Sequence, residues 1–558
     1  MNEKSFVPRN AVTPSHRTHE VLNQPPPLEG YNSFDTDPVL RTALDKEGAS
    51  WASEDCRRLA AILAGEPQQW GVWANAYPPV LRNFDRYGNR IDEVEYHPAY
   101  HQLMRLAVEH ELHALPWRTP RPGAHVARAA KFYLQSQVEA GHGCQISMTY
   151  SIVPALRHQP ELAAWWEPRI VSREYDPRSL PAEEKRGVIC GMAMTEKQGG
   201  SDVRANTTQA EPIDQPGPGA AYWITGHKWF CSAPMSDLFL MLAYTGQGLS
   251  CFLVPRWRPD GKRNTILIQR LKDKLGNRSN ASSEIELDRA WGRMVGEEGR
   301  GVRTIIEMVN HTRLDCVIGA AAALRQSLVQ AIHHTRHRTA FGKRLVEQPL
   351  MQNVLADLSL EWEATTWAMA RLARAYDDAE RNEEERHFAR LATAVIKYWA
   401  CKRTPPFVAE ALECLGGAGY VEESILPRIY REAPLNGIWE GSGNVICLDV
   451  LRAMRREPQS VEAFFAELGR ASGEPLLDRV TAGLRAELAD LDGIEYRARN
   501  LVERMALALQ AALLVRNSEP RVAEAFCRSR LDGAHGLAFG TLPRGVPASA
   551  IIERAFPA

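Results

Sequence analysis

The hydrophobic period of this chain changes twice along its length, and this change constrains the fold more than any other feature. From about residue 38 to 165, apolar residues recur at i, i+3, i+4 and i+7, the period of helices. Between about 187 and 290 the apolar runs are short or alternating and are separated by turn formers, which predicts a sheet. Helical periodicity returns over 301–339, 350–376 and 389–415, lengths that suit a bundle.

The predicted fold is therefore mainly α with a central β domain. The chain has 558 residues, too many for one compact core. We expect an N-terminal arm and helical domain (1–185), a β domain (186–292), a four-helix bundle completed by a helix near 444–455 (293–455), and an extra C-terminal helical domain (456–558). The prolines at 25–27 and the weak periodicity before them predict that the arm is extended.

The charge and cysteine content exclude some partners and sites. Lys plus Arg is 67 and Asp plus Glu is 68, so a net charge of −1 gives no global attraction to nucleic acid or membrane. The polar start and the shortness of the apolar run at 238–244 predict a cytoplasmic protein without a membrane partner. The ten cysteines form no CxxC pair, which predicts buried free thiols and no metal site.

One turn after a predicted strand has the composition of an anion site. Residues 192–202 are Met-Ala-Met-Thr-Glu-Lys-Gln-Gly-Gly-Ser-Asp, and the glycines let a phosphate approach without a Cβ in the way. Glycine turns between strands are more often only turns, so this stretch needs support from elsewhere. On the following strand, Phe230 and Ser232 place a ring near a hydroxyl, which suits a flat heterocycle.

Three further segments complete the pattern: Arg-Thr-Ala-Phe-Gly at 338–342, Leu-Gly-Gly-Ala-Gly-Tyr at 415–420 and Ile-Trp-Glu-Gly-Ser-Gly-Asn at 438–444. Taken in order from about 190 to 455, these segments resemble the acyl-CoA dehydrogenase family. The resemblance implies an FAD flavoprotein that forms oligomers and oxidises an acyl-CoA or a related small molecule.

The resemblance also implies a role for each matched residue. Glu440 would be the catalytic base that removes the α-proton of a thioester, and Arg338 with Phe341 would contribute to the FAD site of a neighbouring subunit. The other predicted cofactor-binding residues are Met192, Met194, Thr195, Gly200, Ser201, Phe230, Ser232, Gly416, Gly417, Trp439, Ser442 and Asn444. Phe230 and Ser232 stand where the family usually has Trp and Thr.

Glu440 has a simpler alternative role, which is to cap the helix predicted to begin near Ser442. Abstraction of an α-proton requires a poorly solvated carboxylate, because such a group is a stronger base than in water. Some family members carry the base near the position of His311, but no carboxylate stands there. We therefore favour Glu440 as the base.

Two residues near Glu440 depart from the usual family pattern and are predicted to gate the site. Trp439 replaces Tyr, and Arg452 lies twelve residues after Glu440, about 3.3 helical turns, a spacing that can return it to the flavin side. An indole and a guanidinium there would narrow the acyl channel and slow turnover of long acyl chains. Plain packing by Trp439 is the alternative.

The resemblance is tightest to a bacterial branch of the family that is induced during methylation stress. It is carried by residues 19–25, 194–202, 270–281 and 438–444 and covers almost the whole chain. It implies a homotetramer that binds the backbone of double-stranded DNA, serves the adaptive response to DNA alkylation and has at most weak dehydrogenase activity. A location at the bacterial nucleoid would follow.

The C-terminal domain is not basic overall, since residues 453–558 contain fourteen Arg, no Lys and fourteen Asp plus Glu. Between 497 and 530, however, seven arginines face three acids, and phosphate contacts could be spaced along helices. The predicted DNA contacts are Arg497, Arg499, Arg504, Arg516, Arg521, Arg528 and Arg530. The alternative is a solvated helix face with local ion pairs.

Three functions therefore stay open. The first is a DNA-associated flavoprotein of the alkylation response. The second is a metabolic acyl-CoA or thioester dehydrogenase whose C-terminal domain serves only assembly, and the third is a protein that retains FAD as a scaffold. The motifs leave the natural substrate and the electron acceptor open, because binding residues do not prove turnover.

Overall fold

The computed structural model describes residues 18–490 and 492–556, so the first 17 residues of the predicted arm lie outside the described part of the chain. Most of the N-terminal domain is helical. Its helices are α1 (Pro38–Lys46), α2 (Ser53–Leu63), α3 (Pro67–Ala76), α4 (Pro98–Glu109), α5 (Leu115–Arg118), α6 (Ala124–Ser136), α7 (Gly143–Leu156) and α8 (Pro160–Ile170). Proline opens several of them, where its missing N–H costs no helical hydrogen bond.

The N-terminal domain also contains a hairpin that the periodicity analysis missed. Strands β1 (Val80–Phe84) and β2 (Arg90–Glu95) pair antiparallel. Asp85 closes the turn by accepting hydrogen bonds from the N–H groups of Tyr87 and Asn89 at 2.8 and 2.9 Å. Both strands are short and largely exposed, so they carry too little alternation of apolar residues to reveal a sheet in the sequence.

The central domain is a closed sheet. Its strands are β3 (Cys190–Ala193), β4 (Gln209–Pro212), β5 (Ala221–Ser232), β6 (Leu238–Thr245), β7 (Gly248–Pro255), β8 (Ile266–Leu271) and β9 (Ser282–Val295). Strand β6 pairs with β7, β7 with β9, β9 with β5, β5 with β4, and β4 with β6, which closes a ring. Strand β3 extends the sheet beside β6, and β8 extends it beside β9. The glycine-containing segment 192–202 therefore leaves the sheet at the end of β3, next to the buried strand β6.

The bundle is formed by α9 (Gly301–His337), α10 (Pro349–Asp378), α11 (Glu383–Glu413) and α14 (Gly443–Arg456). Between them lie the hairpin β10 (Thr339–Ala340) and β11 (Lys343–Arg344) and the short helices α12 (Gly417–Tyr420) and α13 (Leu426–Glu432). Helices α9 and α11 run in the same direction, because Cys401 lies on Cys316 and, seven residues further along each helix, Val408 packs against Ala323. These two helices carry residues from both ends of the bundle.

The C-terminal domain contains α15 (Pro458–Gly469), α16 (Pro475–Ala489), α17 (Ile494–Asn517), α18 (Pro520–Phe526) and α19 (Ala548–Ala555). Helix α17 packs on α10, α11 and α14, and α19 returns to α10, so this domain shares one apolar core with the bundle. The predicted fold class is confirmed: helical, then β, then helical, with an extra helical domain. Among the helices of the described residues, none is both long and apolar enough to traverse a bilayer.

Candidate active site

The loop after β3 is fixed in place by its own glutamate. Glu196 is 1% exposed and accepts hydrogen bonds from Lys228 Nζ and from the N–H of Thr207, both at 2.7 Å. Burial raises the pKa of Glu196, but the Lys228 charge and the hydrogen bonds outweigh it and hold the pKa at about 2. Asn206 Nδ2 donates to Met194 O at 2.8 Å. The glutamate of this motif therefore orders the loop and leaves cofactor contacts to its neighbours.

The neighbouring groups fit a flavin. The hydroxyls of Thr195 and Ser201 and the N–H groups of Gly200 and Ser201 make no hydrogen bond to another described residue. The Trp229 N–H donates to Thr195 O at 2.8 Å, and the register of β5 against β9 shifts at this point. This irregularity leaves the ring of Phe230 49% exposed beside the loop. Donors without partners and a half-exposed ring, with Lys272 Nζ 4.4 Å from the ring centroid, thus lie together, as an isoalloxazine with its phosphates requires.

Cys144, at the start of α7, connects this loop region with the predicted base. Burial raises the pKa of its thiol to about 12, a hydrogen bond with Ser232 lowers it, and the nearby Glu440 carboxylate raises it. Met192 and Met194 are half-buried and pack in the same apolar cluster as Cys144. Segments 192–202, 229–232 and 438–444, which are remote in sequence, therefore converge in this structure. All ten cysteines are free, and Cys144 alone among them is not fully buried.

The loop that carries Glu440 is held by two buried cations. Lys397 Nζ donates to Trp439 O at 2.9 Å and to Gly441 O at 2.5 Å, and Arg313 Nε donates to Glu440 O at 3.0 Å. Glu440 has φ +57°, a left-handed conformation that costs a non-glycine residue about 1–2 kcal/mol. Three charge-assisted hydrogen bonds to consecutive carbonyls offset this cost and fix the direction of the side chain.

The Glu440 carboxylate has the environment of a base. Its Oε2 is buried and has no hydrogen-bond partner among the described residues. Burial raises the pKa of Glu440, while a hydrogen bond with Thr312 and the charges of Arg313 and Lys397 lower it in part. Helix α14 begins at Gly443, and the Glu440 carboxylate bonds to none of its N–H groups. The capping alternative has no support in this geometry.

The other predicted residues near Glu440 differ in what their side chains contact. Ser442 and Asn444 make no side-chain hydrogen bond to a described residue, so both are available to a cofactor. Trp439 packs against the main core and donates from Nε1 to Asn436 Oδ1 at 2.8 Å. Arg452 has a side chain 57% exposed and pairs with Asp449 at 3.4 Å. It reaches the Glu440 loop only through Asp449 and Arg313, and its gating role stays a prediction.

A second group of predicted residues lies at the other end of the bundle. Arg338 follows Arg313 by 25 residues (338 − 313) along α9, about 38 Å at 1.5 Å per residue. Gly416 follows Lys397 by 19 residues (416 − 397) along and just past α11, roughly 28 Å in the same direction. Gly417 and Phe341 belong to this second group, and the Phe341 side chain is 99% exposed. The structure does not bring these residues to the Glu440 of their own chain.

The interior beside Glu440 is filled by rings and an ion pair. His311 contacts the rings of Trp117, His125, Tyr150 and Tyr376, with centroids 4.9 to 6.1 Å away. Burial lowers the pKa of His311 to about 4, so it is a neutral imidazole near pH 7. The buried pair of Arg128 and Asp315, with Nη2 2.8 Å from Oδ2, lies against this cluster.

The predicted DNA-contacting arginines are mostly paired with acids outside the stretch in which they were counted. Arg497 and Arg504 both pair with Glu487, and Arg516 pairs with Glu467. Arg521 and Arg528 pair with the nearby Glu519 and Glu524, and Arg499 bonds only to the hydroxyl of Tyr398.

The structure corrects the prediction that Arg530 contacts DNA. Its side chain is 3% exposed and pairs with Asp357 and Glu361 of α10, so in this structure it cannot contact a phosphate. The local excess of positive charge expected from the sequence is therefore largely neutralised.

The sequence motifs do not include four residues that position or surround Glu440: Arg313, Lys397, Thr312 and Cys144. These residues lie 41 (438 − 397) to 294 (438 − 144) positions before the 438–444 segment and belong to helices whose periodicity marks only core positions. The sequence does place Lys397 within an apolar run of a predicted bundle helix. The structure buries this lysine to 1% exposure, and a buried charge needs partners.

Comparison with known proteins identifies the family. Residues 23–177 match the Adaptive response protein AidB N-terminal domain, 191–290 the acyl-CoA dehydrogenase middle domain and 299–455 the acyl-CoA dehydrogenase C-terminal domain. Putative acyl-CoA dehydrogenase AidB of Escherichia coli (strain K12) is 44% identical over 525 residues, 93% of this chain and 96% of that protein.

Solved structures agree with these matches. Caenorhabditis elegans ACDH-11 in complex with C11-CoA has a TM-score of 0.85 at 27% identity and covers 93% of this chain and 94% of its own. Acyl-CoA dehydrogenase complexed with FAD from Bacillus anthracis shares the fold, with a TM-score of 0.61 at 18% identity over 82% and 83% of the two chains. The family predicted from the motifs is confirmed: the chain belongs to the acyl-CoA dehydrogenase family and is similar to AidB over nearly its whole length.

Proposed function

We propose that this protein is an FAD-dependent oxidoreductase of the acyl-CoA dehydrogenase type in which Glu440 is the catalytic base. FAD is the cofactor that membership of the family assigns to the chain. The observation that supports the base most directly is the buried Glu440 Oε2, which no described residue satisfies. A buried polar atom without a partner inside a protein needs an explanation, and a substrate proton supplies one.

The flavin, when bound, supplies the acceptor for the hydride that leaves the β-carbon. The residues of the chain do the rest. Glu440 accepts the α-proton at Oε2, and Lys397 with Arg313 keeps its backbone in the left-handed conformation that aims the carboxylate. The N–H groups and hydroxyls at 195–201 hold phosphate and ribityl oxygens, and Phe230 supplies a stacking face.

The substrate is proposed to be a short acyl-CoA or a small molecule. The Arg128–Asp315 pair and the rings around His311 occupy the interior beside Glu440, and displacing a buried ion pair would leave charges unpaired. Trp439 adds bulk at the loop. Within the described part of the chain, these groups fill the interior next to α9, so a long acyl tail is proposed to be excluded.

Flavin bleaching under anaerobic conditions tests this proposal. Purified protein is mixed with acyl-CoAs of increasing chain length, and absorbance of the oxidised flavin is followed. Short thioesters should bleach the flavin, long ones should do so slowly, and Glu440→Gln should reduce the rate by about 10²- to 10⁴-fold. Glu286→Gln, an exposed carboxylate on β9, is the matched control. Equal bleaching by Glu440→Gln and wild type would rule out Glu440 as the base.

The protein is also proposed to assemble from identical subunits. Arg338, Phe341, Gly416 and Gly417 lie about 28–38 Å along the bundle from the residues that hold Glu440, too far to share a flavin ring with it. They would instead contact the cofactor of a second copy, within a homotetramer built from two dimers. Sedimentation velocity of the purified protein measures this mass directly.

A second proposed function is DNA binding in the adaptive response to alkylation. It is supported by the match of residues 23–177 to the domain named for that response and by the similarity to AidB. Within the C-terminal domain, the DNA contacts that remain available are Arg499, Arg521 and Arg528, each with an exposed or half-exposed side chain. Contacts by arginines to phosphates carry no base sequence, so binding would be non-specific.

A salt series on a duplex tests DNA binding. Affinity should fall steeply with salt, and replacing Arg521 and Arg528 by Ala should reduce the slope of log K against log salt by about 2. Arg289→Ala on the β domain is the control. Binding that does not depend on salt, or a loss confined to one base sequence, would contradict backbone recognition. Protein that binds FAD but neither DNA nor thioesters would favour the scaffold alternative.

A further inference from the structure

The N-terminal arm makes specific contacts at the far end of α9. Asn23 Nδ2 donates to Thr339 O at 2.8 Å, and Asn23 Oδ1 accepts from Thr339 N at 2.8 Å and Thr339 Oγ1 at 3.0 Å. The backbone carbonyl of Asn23 accepts from Arg338 Nη1 at 2.5 Å. One ring nitrogen of His333, Nε2, lies 2.8 Å from Pro26 O. A segment without helix or strand is thus docked on α9 and its hairpin by five hydrogen bonds.

The docking has a conformational cost, which indicates that the contact is specific. Asn23 has φ +57° and Phe341 has φ +52°, both in the left-handed region. Asn enters this region more readily than most residues, and its amide pairs with both the N–H and the C=O of Thr339, as a neighbouring strand would. The Asn23 side chain thereby completes the edge of the small hairpin.

Arg338 carries an unneutralised charge at this place. Within the described part of the chain, no carboxylate lies within 4.0 Å of its guanidinium, and its one hydrogen bond goes to the Asn23 carbonyl. A guanidinium has five N–H donors in a fixed plane. One donor is held by a neutral carbonyl, and the remaining donors make no hydrogen bond to a described residue, so they are available to a phosphate oxygen.

Among the described residues, the surface around Arg338 is apolar and exposed. Val21 is 64% exposed, Leu22 70%, Leu350 83% and Phe341 99%. Gln348 Nε2 donates to Ala340 O at 3.1 Å, so the start of α10 adjoins the hairpin and these side chains border one area. Large apolar side chains this exposed, grouped around an unpaired arginine, mark a surface that another molecule covers.

We propose that the arm, through Asn23, positions Arg338 for the cofactor of a second copy of this chain, so that arm, hairpin and α10 start form one subunit interface. This inference rests on the proposed FAD function. The second copy follows from distance, because Arg338 lies about 38 Å along α9 from the Arg313 that holds Glu440 in the same chain. Asn23 is a positioning residue, since it acts on the cofactor only through Arg338.

The experiment measures FAD affinity of full-length deflavinated protein by fluorescence titration, together with sedimentation velocity with and without FAD. Asn23→Ala should weaken FAD binding on the order of tenfold and shift the assembly toward smaller species, because one oriented charge-assisted contact is loosened. Arg338→Ala should weaken binding at least as much. Glu29→Ala, an exposed change on the same arm, is the control and should bind as wild type does.

A double variant separates positioning from a general effect on folding. In an Arg338→Ala background, Asn23→Ala should cause no further loss of FAD affinity. An unchanged affinity in Asn23→Ala, or the same tenfold loss with and without Arg338, would overturn the inference and leave the proposed function intact. Wild-type protein that takes up no FAD would overturn the proposed function itself.

Discussion

Replacing Arg530 by Met separates a packing role from DNA contact. The Arg530 side chain is 3% exposed, and its Nη2 lies 2.5 Å from Asp357 Oδ1 and 3.4 Å from Glu361 Oε2. These carboxylates are 2% and 0% exposed. Without Arg530, Asp357 keeps only the Gly540 N–H at 2.9 Å, and Glu361 keeps Arg403 Nε at 3.3 Å. Two buried charges would lose their shared counter-ion.

The magnitude follows from these contacts. Removing one partner of a buried ion pair costs about 3–5 kcal/mol, and the donors that remain place Arg530→Met near the lower limit, about 3 kcal/mol. Such a loss should lower the melting temperature by roughly 5–10 °C. Arg528→Met is the matched control: its side chain is 39% exposed and 3.6 Å from Glu524, a pair worth less than about 1 kcal/mol.

Differential scanning calorimetry of the two variants decides the matter. Arg530→Met should melt well below wild type and Arg528→Met close to it, while only Arg528→Met should reduce the salt dependence of DNA binding measured below both melting temperatures. Equal melting temperatures for the two variants would refute the argument from burial. Loss of DNA affinity in Arg530→Met at unchanged melting temperature would restore Arg530 as a phosphate contact.

Three further predictions concern the active site and the backbone. Burial raises the folded-state pKa of Glu440, so the native protein loses stability as this group ionises. Glu440→Gln should therefore melt above wild type by a margin that widens as the pH rises above 4.5, the ordinary pKa of a glutamate, and a constant margin would contradict this. Lys397→Met removes both hydrogen bonds to the carbonyls beside Glu440 and should slow flavin bleaching about 100-fold at unchanged flavin content, whereas Lys262→Met in an exposed turn should have no effect. In denaturant unfolding, Gly123→Ala should lower the free energy of unfolding by about 2–4 kcal/mol and Gly30→Ala by about 1 kcal/mol. Both glycines have positive φ, but only the Cβ added at Gly123 would meet backbone, the Gly48 carbonyl oxygen at 2.3 Å. Equal losses of stability in the two variants would exclude this clash.

Periodicity was sufficient to predict the fold because long elements dominate it. The 37 residues of α9 and the 31 of α11 carry many turns of apolar pattern, so their existence followed from the sequence, although α11 begins six residues before the predicted 389. The hairpin at 80–95 did not, since five- and six-residue strands with half-exposed faces carry little pattern. Closure of the β domain into a ring also depends on pairings between strands remote in sequence.

The sequence predicted the motifs of the candidate site but not the residues that hold those motifs in place. Glu440 and Thr195 stand in segments whose residue types match a family pattern, whereas Lys397 and Arg313 act through single contacts to backbone carbonyls. Such contacts leave no pattern in one sequence. The local excess of positive charge predicted for 497–530 was wrong for a related reason. Glu487 neutralises Arg504 and Glu467 neutralises Arg516 from other helices, and charges counted along the chain do not include partners that only folding brings close.

The separation of the two groups of cofactor residues links binding of the cofactor to assembly. Glu440 lies near one end of the bundle, and Arg338 and Gly416 lie about 28–38 Å further along it, so in the proposed assembly a complete site requires two copies of the chain. A ligand that binds only the assembled form stabilises it by mass action, and dilution in turn weakens binding of the ligand. The apparent affinity for FAD should therefore rise with protein concentration. In Arg338→Ala, where the contact from the second subunit is lost, the apparent affinity should no longer depend on protein concentration. An affinity independent of concentration in wild type, measured across the range where the assembly dissociates, would mean that one chain holds the whole cofactor.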